Sequence, residues 1–418
     1  SYKILKTLCD MKNIIFVFRS TALFSYSSSI INEITKNGNK VTLVFIRENS
    51  NDSVLFGDES PEKYNIKINE DTGLKELVSE KLNLNPSEVL VSESEKISII
   101  KGKERSDRWT YILRIIRETV SFLSYIKRGD NSNFFYNQKR YVPKIIVSWI
   151  SFKIVGKYLF PTGIIYKVLK FINEIIPASK EIKTFVDSLK ANCVVVVGAN
   201  YASNPTYFSS GIDYIKACSV LKIPSVIQIV SWDNLTSRGI YHYKPTLMLA
   251  WNRIHKEEAI NIHNIPKQRI EITGSPFMDK WFNHKFTIRT KQEFFSALNM
   301  NPNVPLVTYL GSSKNVVGSL LKYGSKSGEK EAVIAERLFQ NLRQKGVQLI
   351  IRPHGSNSSQ FRKLASKIPV IPLQGDLPDT DETKKLMIET LTYSSATIGI
   401  NTTGMIDSVV LGTPCVAL

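Results

Sequence analysis

Residues 396–418 have the sequence ATIGINTTGMIDSVVLGTPCVAL, and this stretch decides the fold class. The apolar run Ala396–Ile400 predicts a buried strand, Asn401–Gly404 predicts the start of a helix that runs to Leu411, and Pro414–Leu418 predicts the next strand. A strand, a helix and a second strand in this order form a βαβ unit, which builds a parallel sheet.

The same alternation extends back to Pro305. It predicts strands at Pro305–Leu310, Val347–Ile351 and Val370–Pro372, and helices at Lys330–Lys345, Ser358–Ser366 and Thr383–Tyr393. Residues 305–418 are therefore expected to form a doubly wound domain, with its last part missing beyond Leu418.

The first half of the chain repeats the pattern. Predicted strands are Asn13–Phe18, Val41–Ile46, Cys193–Gly198, Pro224–Val230, Leu247–Trp251 and Ile270–Thr273, with helices at Ala22–Lys36, Asp107–Arg128, Tyr214–Leu221 and Lys256–His263. The predicted fold class is α/β, with two doubly wound Rossmann-like domains facing a cleft. The expected divisions are a first domain at 1–276 with a helical insertion at about 107–190, a linker with one helix at 277–304, and a second domain at 305–418.

The net charge of the chain indicates that its binding partners are anionic. The 418 residues include 55 Lys and Arg against 37 Asp and Glu, a formal charge of +18, which favours nucleotide phosphates, lipid head groups or nucleic acid. Nucleic acid is not expected, because the basic residues are spread along the chain without a nucleic-acid-binding signature. None of the four cysteines forms a CxxC pair, and Cys193 and Cys415 lie in strand-like runs, which favours buried thiols and a cytoplasmic location.

The stretch Lys139–Phe171 is both apolar and basic, and the first acidic residue after it is Glu174. Lysines and Pro161 interrupt it, so a membrane-spanning helix is not expected. One interpretation is a peripheral surface that contacts an anionic membrane, at the inner face of the plasma membrane. The other, which we favour, is a pair of core helices whose lysines extend to solvent.

Polar residues that could bind an anion follow three predicted strands of the second domain. The predicted donor-binding residues are Gly311, Ser312, Ser313, Arg352, His354, Asn401, Thr402, Thr403, Gly404 and Asp407. A helix start attracts anions, a guanidinium binds phosphate in a fork, and Gly404 would allow a phosphate to approach the backbone. Asp407 follows one turn later, where it could accept hydrogen bonds from ribose hydroxyls. Each segment also has a purely structural interpretation. Asn401–Gly404 could be an ordinary helix cap, Gly311–Ser313 a turn, and Arg352–His354 a solvated loop.

A second group of residues follows the strand Pro224–Val230 in the first domain. Trp232 and Asn234 are predicted to bind a sugar acceptor, and Asp233 is the candidate general base. The alternative is a buried Trp flanked by turn-forming residues. The sequence has no HExxH, GxSxG or GxxxxGK[ST] motif, so no metal and no cofactor are expected.

Three segments resemble enzymes of the GT-B superfamily. Ile270–Asp279 resembles the segment that ends the first domain of these enzymes, including UDP-N-acetylglucosamine 2-epimerases. Asn401–Leu418 is similar to their donor-nucleotide segment, with Asp407 five positions before Gly412-Thr413-Pro414. Ser231–Gly239 is similar to bacterial surface-polysaccharide glycosyltransferases, which relate to CDP-glycerol glycerophosphotransferases; in their Arg-Pro-His-Pro loop, Gly355 here replaces the last proline.

The resemblance implies a metal-independent glycosyltransferase. Its nucleotide-sugar donor would bind the second domain, and its acceptor, a surface polysaccharide or a lipid-linked glycan, would bind the first. A nucleotide-sugar 2-epimerase and a CDP-glycerol-type glycerophosphotransferase remain alternatives within the same superfamily. The high positive charge leaves a polyanion-binding protein as the non-enzyme alternative.

Overall fold

A computed structural model describes residues 13–19, 21–46, 97–128, 142, 162–199, 210–237, 239–282, 287–313, 331–376, 378, 381–400 and 402–418. Contacts divide the described residues into two compact units, one ending at Phe277 and one starting at Met278. Each unit has its own parallel sheet and its own core.

The sheet of the first unit has apolar, β-branched central strands that are buried on both faces, as parallel sheets require. Its strands are β1 (Asn13–Phe18), β2 (Lys40–Phe45), β3 (Ile97–Lys101), β4 (Cys193–Val197), β5 (Ser225–Gln228), β6 (Leu247–Ala250) and β7 (Ile270–Ile272). Their order is β3-β2-β1-β4-β5-β6-β7, all parallel. The order reverses between β1 and β4, which is the topological switch point of a doubly wound sheet.

Helices connect these strands. They are α1 (Ser28–Lys36), α2 (Thr110–Lys127), α3 (Thr162–Ile175), α4 (Lys180–Ser188), α5 (Gly211–Leu221), α6 (Asn234–Ser237) and α7 (Arg253–Asn261). The single helix expected at Ala22–Lys36 is divided into a 3-10 helix, Thr21–Tyr26, and α1. Ser27, at the division, donates its hydroxyl hydrogen to Gln228 Oε1 at 2.8 Å, which ties this turn to the end of β5.

A buried ion network attaches the α2–α3 pair to the rest of the unit. Asp213 on α5 is fully buried and accepts hydrogen bonds from Arg117 at 2.8 Å and from Arg105 at 3.1 Å. Lys216, one turn further along α5, donates to the carbonyl oxygens of Asn173 and Glu174 at the C-terminal end of α3. A cation there satisfies carbonyls that lack intrahelical partners and complements the helix dipole.

Helix α3 is the described part of the basic, apolar stretch Lys139–Phe171; residues 139–141 and 143–161 of that stretch lie outside the described residues. One face of α3, with Tyr166 and Leu169, packs against Leu113 and Ile116 of α2. The opposite face carries an apolar stripe in which every side chain is at least 50% exposed, namely Ile164, Val168, Phe171 and Ile175. In the part of the chain that the structure describes, no helix has both the length and the apolarity needed to cross a membrane.

The second unit contains a smaller parallel sheet. Its strands are β8 (Leu306–Leu310), β9 (Gln348–Arg352), β10 (Ala396–Gly399) and β11 (Cys415–Ala417), and its helices are α8 (Lys291–Ala297), α9 (Glu331–Gln344), α10 (Asp381–Thr392) and α11 (Thr403–Val410). Two 3-10 helices, Pro276–Trp281 and Gly355–Leu364, complete the regular elements used below. The strand order β11-β10-β8-β9 places the switch point between β8 and β10.

Residues 278–304 belong to the second unit, although their sequence predicts a linker at 277–304. Helix α8 begins at a capping box formed by Thr290 and Glu293. Its two phenylalanines, Phe294 and Phe295, are buried in a cluster with Leu306 of β8. The helix expected in this segment is therefore present, but the polar composition of the segment does not reveal that the helix packs on the sheet.

Two parallel sheets, each with a reversal of strand order and connecting helices, confirm the predicted fold class: α/β, with two doubly wound domains. Most predicted elements end within a few residues of the observed ones, as is usual at frayed helix termini. The prediction of a strand at Val370–Pro372 was wrong, because this segment contributes only one isolated bridge from Val370 to Ile351. Most of the helix predicted at Ser358–Ser366 lies in a 3-10 helix.

Candidate functional site

The three predicted anion-binding loops of the second domain follow neighbouring strands of its sheet. Strand β8 lies between β9 and β10, so the segments after Leu310, Arg352 and Gly399 leave the same edge of the sheet side by side. The Gly311 amide donates to the Arg352 carbonyl oxygen at 2.8 Å. Because ligands of open parallel sheets bind outside the carboxyl ends of the strands at a switch point, this edge is the candidate site.

Arg352 at the end of β9 is the most informative residue of this edge. Its side chain is almost fully buried, with 6% of the residue exposed, and Nη1 has no hydrogen-bond partner among the described residues. Burial lowers the pKa of the guanidinium to about 10, although the negative charges of Asp407 and Asp376 oppose that shift. Buried donors are nearly always paired, so the unpaired guanidinium hydrogen makes Arg352 a candidate for binding an oxygen anion.

His354 is two residues beyond Arg352 and caps the 3-10 helix Gly355–Leu364. Its Nδ1 accepts a hydrogen bond from the Ser356 amide at 3.2 Å. In a neutral ring this acceptor role places the proton on Nε2, which is then a donor. Burial lowers the pKa of His354, so the neutral form with a protonated Nε2 is favoured at neutral pH.

Gly311 has a structural reason to be glycine. A β-carbon at this position would lie 3.0 Å from the His354 backbone nitrogen and 3.1 Å from the Pro353 α-carbon. Both are backbone atoms, so a side chain could be accommodated only by moving the Arg352–His354 segment. Gly311 therefore allows the two loops to pack directly against each other.

We expect Gly311→Ala to lower the free energy of unfolding by about 1–3 kcal/mol, the usual cost of inserting a methyl group where none fits. The matched control is Gly404→Ala, whose methyl group would meet Leu310 and Met387 at ordinary distances of 3.7–3.8 Å. The control should be neutral or stabilising by up to about 1 kcal/mol, because alanine favours helix over glycine. Urea denaturation of both variants measures this, and equal stability of Gly311→Ala and the parent would contradict the close approach.

The start of α11 is the third part of this edge. Thr402 is its N-cap residue and has extended backbone angles, but its side chain makes no capping hydrogen bond. The first amides of α11, which begin at Thr403, are therefore not satisfied by a Thr402 cap and lie where the helix dipole is positive. Asn401 lies outside the described residues. The prediction that Gly404 lets a phosphate approach the backbone is corrected. A β-carbon at Gly404 would face Leu310 and Met387, so glycine is not needed there for a phosphate to approach.

Asp407 lies on α11 and is almost fully buried. The indole N–H of Trp281 donates to Asp407 Oδ1 at 2.9 Å. Burial raises the pKa of Asp407, and the charges of Lys280 and Arg352 and the hydrogen bond from Trp281 act against that shift. Trp281 is missed by the sequence analysis, since nothing in its local pattern indicates a contact with a residue 126 positions away.

The structure does not support a phosphate contact for Ser312. Its amide already donates to both carboxylate oxygens of Glu331, at 2.9 and 3.0 Å. Glu331, at the start of α9, is fully buried and also accepts from Tyr309 and Asn357. Burial raises its pKa to about 7. The protein's own carboxylate therefore occupies the anion position predicted at this amide, while the neighbouring Ser313 is partly exposed.

The predicted acceptor residues follow β5 in the first unit. Trp232 is 40% exposed, and Asp233 accepts a hydrogen bond from the Ser231 hydroxyl at 2.5 Å. Asn234 is fully buried, and its side-chain oxygen accepts from the amides of Val230 and Ser231 at 3.0 and 2.9 Å. The prediction that Asn234 contacts a ligand is therefore corrected, because it holds the turn that presents Trp232 and Asp233.

His255 supports the same turn from α7. Its Nε2 is 2.9 Å from the Trp232 carbonyl oxygen, which requires Nε2 to be the donor. Its ring lies 5.4 Å from that of Trp251, and burial lowers its pKa. A neutral His255 therefore positions the backbone of the turn, a role that a lone histidine in a helix does not reveal in sequence.

No group of three or more His, Cys, Asp or Glu side chains with metal-binding geometry occurs among the residues that the structure describes. No protein-family profile matches the chain, and no curated protein does.

Several solved structures are similar to this chain. The UDP-GlcNAc 2-epimerase of Methanocaldococcus jannaschii is 14% identical, with 97% of this chain and 83% of that chain covered and a TM-score of 0.47. A glycosyltransferase of Rickettsia africae is 10% identical, with 97% and 78% covered and a TM-score of 0.43. The wall teichoic acid polymerase TagF is 10% identical, with 97% and 68% covered and a TM-score of 0.36. At these identities and TM-scores, substrate and mechanism have to be inferred from the side chains described above.

Proposed function

We propose that this protein is a nucleotide-sugar enzyme, and more specifically a glycosyltransferase that moves a sugar from a nucleotide-activated donor to a surface-polysaccharide or lipid-linked acceptor. The observation that carries the proposal is the buried Arg352 guanidinium, whose Nη1 has no partner in the described part of the chain and which lies next to the switch point of the second unit. An oxygen-rich anion such as a diphosphate would satisfy it.

The proposed donor site stabilises the leaving nucleoside diphosphate. Negative charge builds up on the phosphate oxygens as the bond to the sugar breaks. The Arg352 guanidinium, the first amides of α11 and the His354 Nε2–H would each donate to those oxygens. Fixed donors of this kind need no reorganisation during the reaction, which is how charge stabilisation lowers a barrier. The proposal assigns no metal and no cofactor to this step.

The proposed acceptor site is on the first unit. The exposed Trp232 ring would stack against a sugar face, and Asp233 would take the proton from the attacking hydroxyl. Ser231, through its hydrogen bond, and His255, through the Trp232 carbonyl, would hold this turn in place.

One experiment separates transfer from epimerisation. UDP-, GDP- and CDP-linked sugars are incubated with the protein, with and without a membrane glycolipid fraction, and the products are identified by mass spectrometry and NMR. A glycosyltransferase gives a glycosylated product and free nucleoside diphosphate only when the acceptor is present. Isomerised nucleotide sugar without acceptor would instead identify a 2-epimerase, and transfer of glycerophosphate from CDP-glycerol would identify a glycerophosphotransferase.

A lipid-linked acceptor fits a further proposal, that the exposed stripe of α3 contacts an anionic membrane. Lys167 lies within one helical turn of Ile164 and Phe171 in the stripe. Apart from Arg117, which is buried and paired with Asp213, helices α2 and α3 carry four basic residues, Arg114, Lys127, Lys167 and Lys170, against two acidic ones, Glu118 and Glu174. An apolar stripe with excess positive charge is the pattern that lies on an anionic bilayer surface.

We expect the protein to float with phosphatidylglycerol vesicles and not with phosphatidylcholine vesicles, and Phe171→Glu to reduce that flotation at least tenfold. The reason is that a carboxylate is both costly to bury in the interface and repelled by the anionic surface. Val333→Glu, at an exposed position of α9, is the matched control and should float as the parent does. Equal binding to both vesicle types would contradict the membrane surface.

A further inference from the structure

Trp281 is placed where it can orient Asp407, the residue that the sequence predicts to contact a ribose. It ends the 3-10 helix Pro276–Trp281, is almost fully buried, and donates its indole hydrogen to Asp407 Oδ1 at 2.9 Å. An indole N–H can only donate, so this bond permanently occupies one acceptor position of the carboxylate. No described residue donates a hydrogen bond to Asp407 Oδ2, so this oxygen can accept one from a ligand.

The charged groups around Asp407 favour its ionised form against the effect of burial. Lys280 acts from the 3-10 helix and Arg352 from the end of β9, while α11 itself contributes no other charged side chain. Asp376 in turn acts on Arg352. Lys280 Nζ lies 4.4 Å from the centre of the Trp281 ring, so the cation and the indole are held together next to the carboxylate.

An ionised carboxylate with one free oxygen suits a vicinal diol. Asp407 Oδ2 can accept hydrogen bonds from hydroxyl groups, whereas a protonated carboxyl would lose part of that capacity. A ribose offers two adjacent hydroxyls and a 2′-deoxyribose only one. The preference for a ribose over a 2′-deoxyribose would therefore depend on how firmly Asp407 is oriented and on how fully it is ionised.

We propose that Trp281, assisted by Lys280, is the positioning residue that presents Asp407 Oδ2 to the ribose hydroxyls and so makes the site prefer ribonucleotides to 2′-deoxyribonucleotides. The proposal rests on the nucleotide-binding function proposed above and extends it to a residue that touches no substrate. It assigns to the Trp281–Asp407 bond a role in specificity beyond its contribution to packing.

The test uses UDP, CDP and GDP with their 2′-deoxy counterparts, measured by calorimetry on the full chain. Trp281→Phe removes the donor but keeps an aromatic ring in the core. In Trp281→Phe, the ratio of ribonucleotide affinity to 2′-deoxyribonucleotide affinity should be about tenfold lower than in the parent. One charge-assisted hydrogen bond contributes about that factor to binding. The affinity of the parent should fall as the pH drops through the pKa of Asp407. In Trp281→Phe this fall should begin at a higher pH, because the lost hydrogen bond had lowered that pKa.

Trp251→Phe is the matched control, since it deletes an indole hydrogen bond of the same length, 2.9 Å, to the Ile229 carbonyl oxygen. It should keep the parent preference and the parent pH profile.

If Trp281→Phe does not fold, Lys280→Met replaces it, and its affinity should likewise begin to fall at a higher pH. Parent-like preference and pH profile in Trp281→Phe, or a parent-like pH profile in Lys280→Met, would overturn the inference while leaving nucleotide binding in place. Failure of the parent to bind any of the six nucleotides would overturn the proposed function itself.

Discussion

Arg352→Met is expected to weaken binding of nucleoside diphosphates by tenfold to a hundredfold. The guanidinium would lose a charge-assisted hydrogen bond to phosphate of about 1.5–3 kcal/mol, and about 1.4 kcal/mol corresponds to a factor of ten. In the absence of ligand the same substitution should raise the free energy of unfolding by about 1–3 kcal/mol. The reason is that it replaces a buried donor without a partner by an apolar side chain of similar length.

This pair of opposite effects separates a binding arginine from a structural one. Arg343→Ala, at an exposed position near the end of α9, is the control and should change neither quantity. Calorimetric titration and urea denaturation measure the two effects. A loss of stability in Arg352→Met together with unchanged nucleotide affinity would show that Arg352 serves the fold and not a ligand.

Asp233→Asn is expected to slow sugar transfer by about a hundredfold to ten-thousandfold, the usual contribution of a general base. Donor affinity should stay at the parent value, because Asp233 lies on the first unit and is proposed to act on the acceptor alone. An amide can still accept the hydrogen bond from Ser231, so the turn should keep its conformation. Single-turnover rates at saturating donor, with calorimetry of donor binding, test both parts.

Asp187→Asn, at an exposed position of α4, is the matched control for Asp233→Asn and should transfer at the parent rate. Parent-like transfer by Asp233→Asn would exclude Asp233 as the base. A loss of donor affinity in Asp233→Asn would instead contradict the assignment of the donor to the second unit alone.

The sheet framework could be predicted from the sequence because parallel strands that are buried on both faces leave continuous apolar runs. Asn13–Phe18 is recognised at its observed bounds for this reason. The strands also explain why Arg352 could be singled out: a charged residue that directly follows such a run lies at the carboxyl end of a strand. The prediction needs only local sequence and the rules of sheet topology.

What could not be predicted depends on contacts between distant segments. Ser312 follows a strand as expected, but Glu331 takes its amide, and no local pattern pairs the two residues. Asn234 is a polar loop residue of the kind that contacts sugars. Its side-chain oxygen instead accepts hydrogen bonds from the amides of its own turn, which only the backbone geometry reveals. Trp281 and Asp407 meet across 126 positions, and Phe294 and Phe295 are buried within a segment that is polar overall.

Calorimetric titration of the protein with UDP, CDP and GDP, each compared with its nucleoside and with inorganic pyrophosphate as competitor, tests the central claim most directly. A diphosphate site at the Arg352 edge predicts that at least one nucleoside diphosphate binds, that its nucleoside binds at least tenfold more weakly, and that pyrophosphate competes. Equal binding of nucleoside and nucleoside diphosphate, or no binding of any of the three diphosphates, would contradict it.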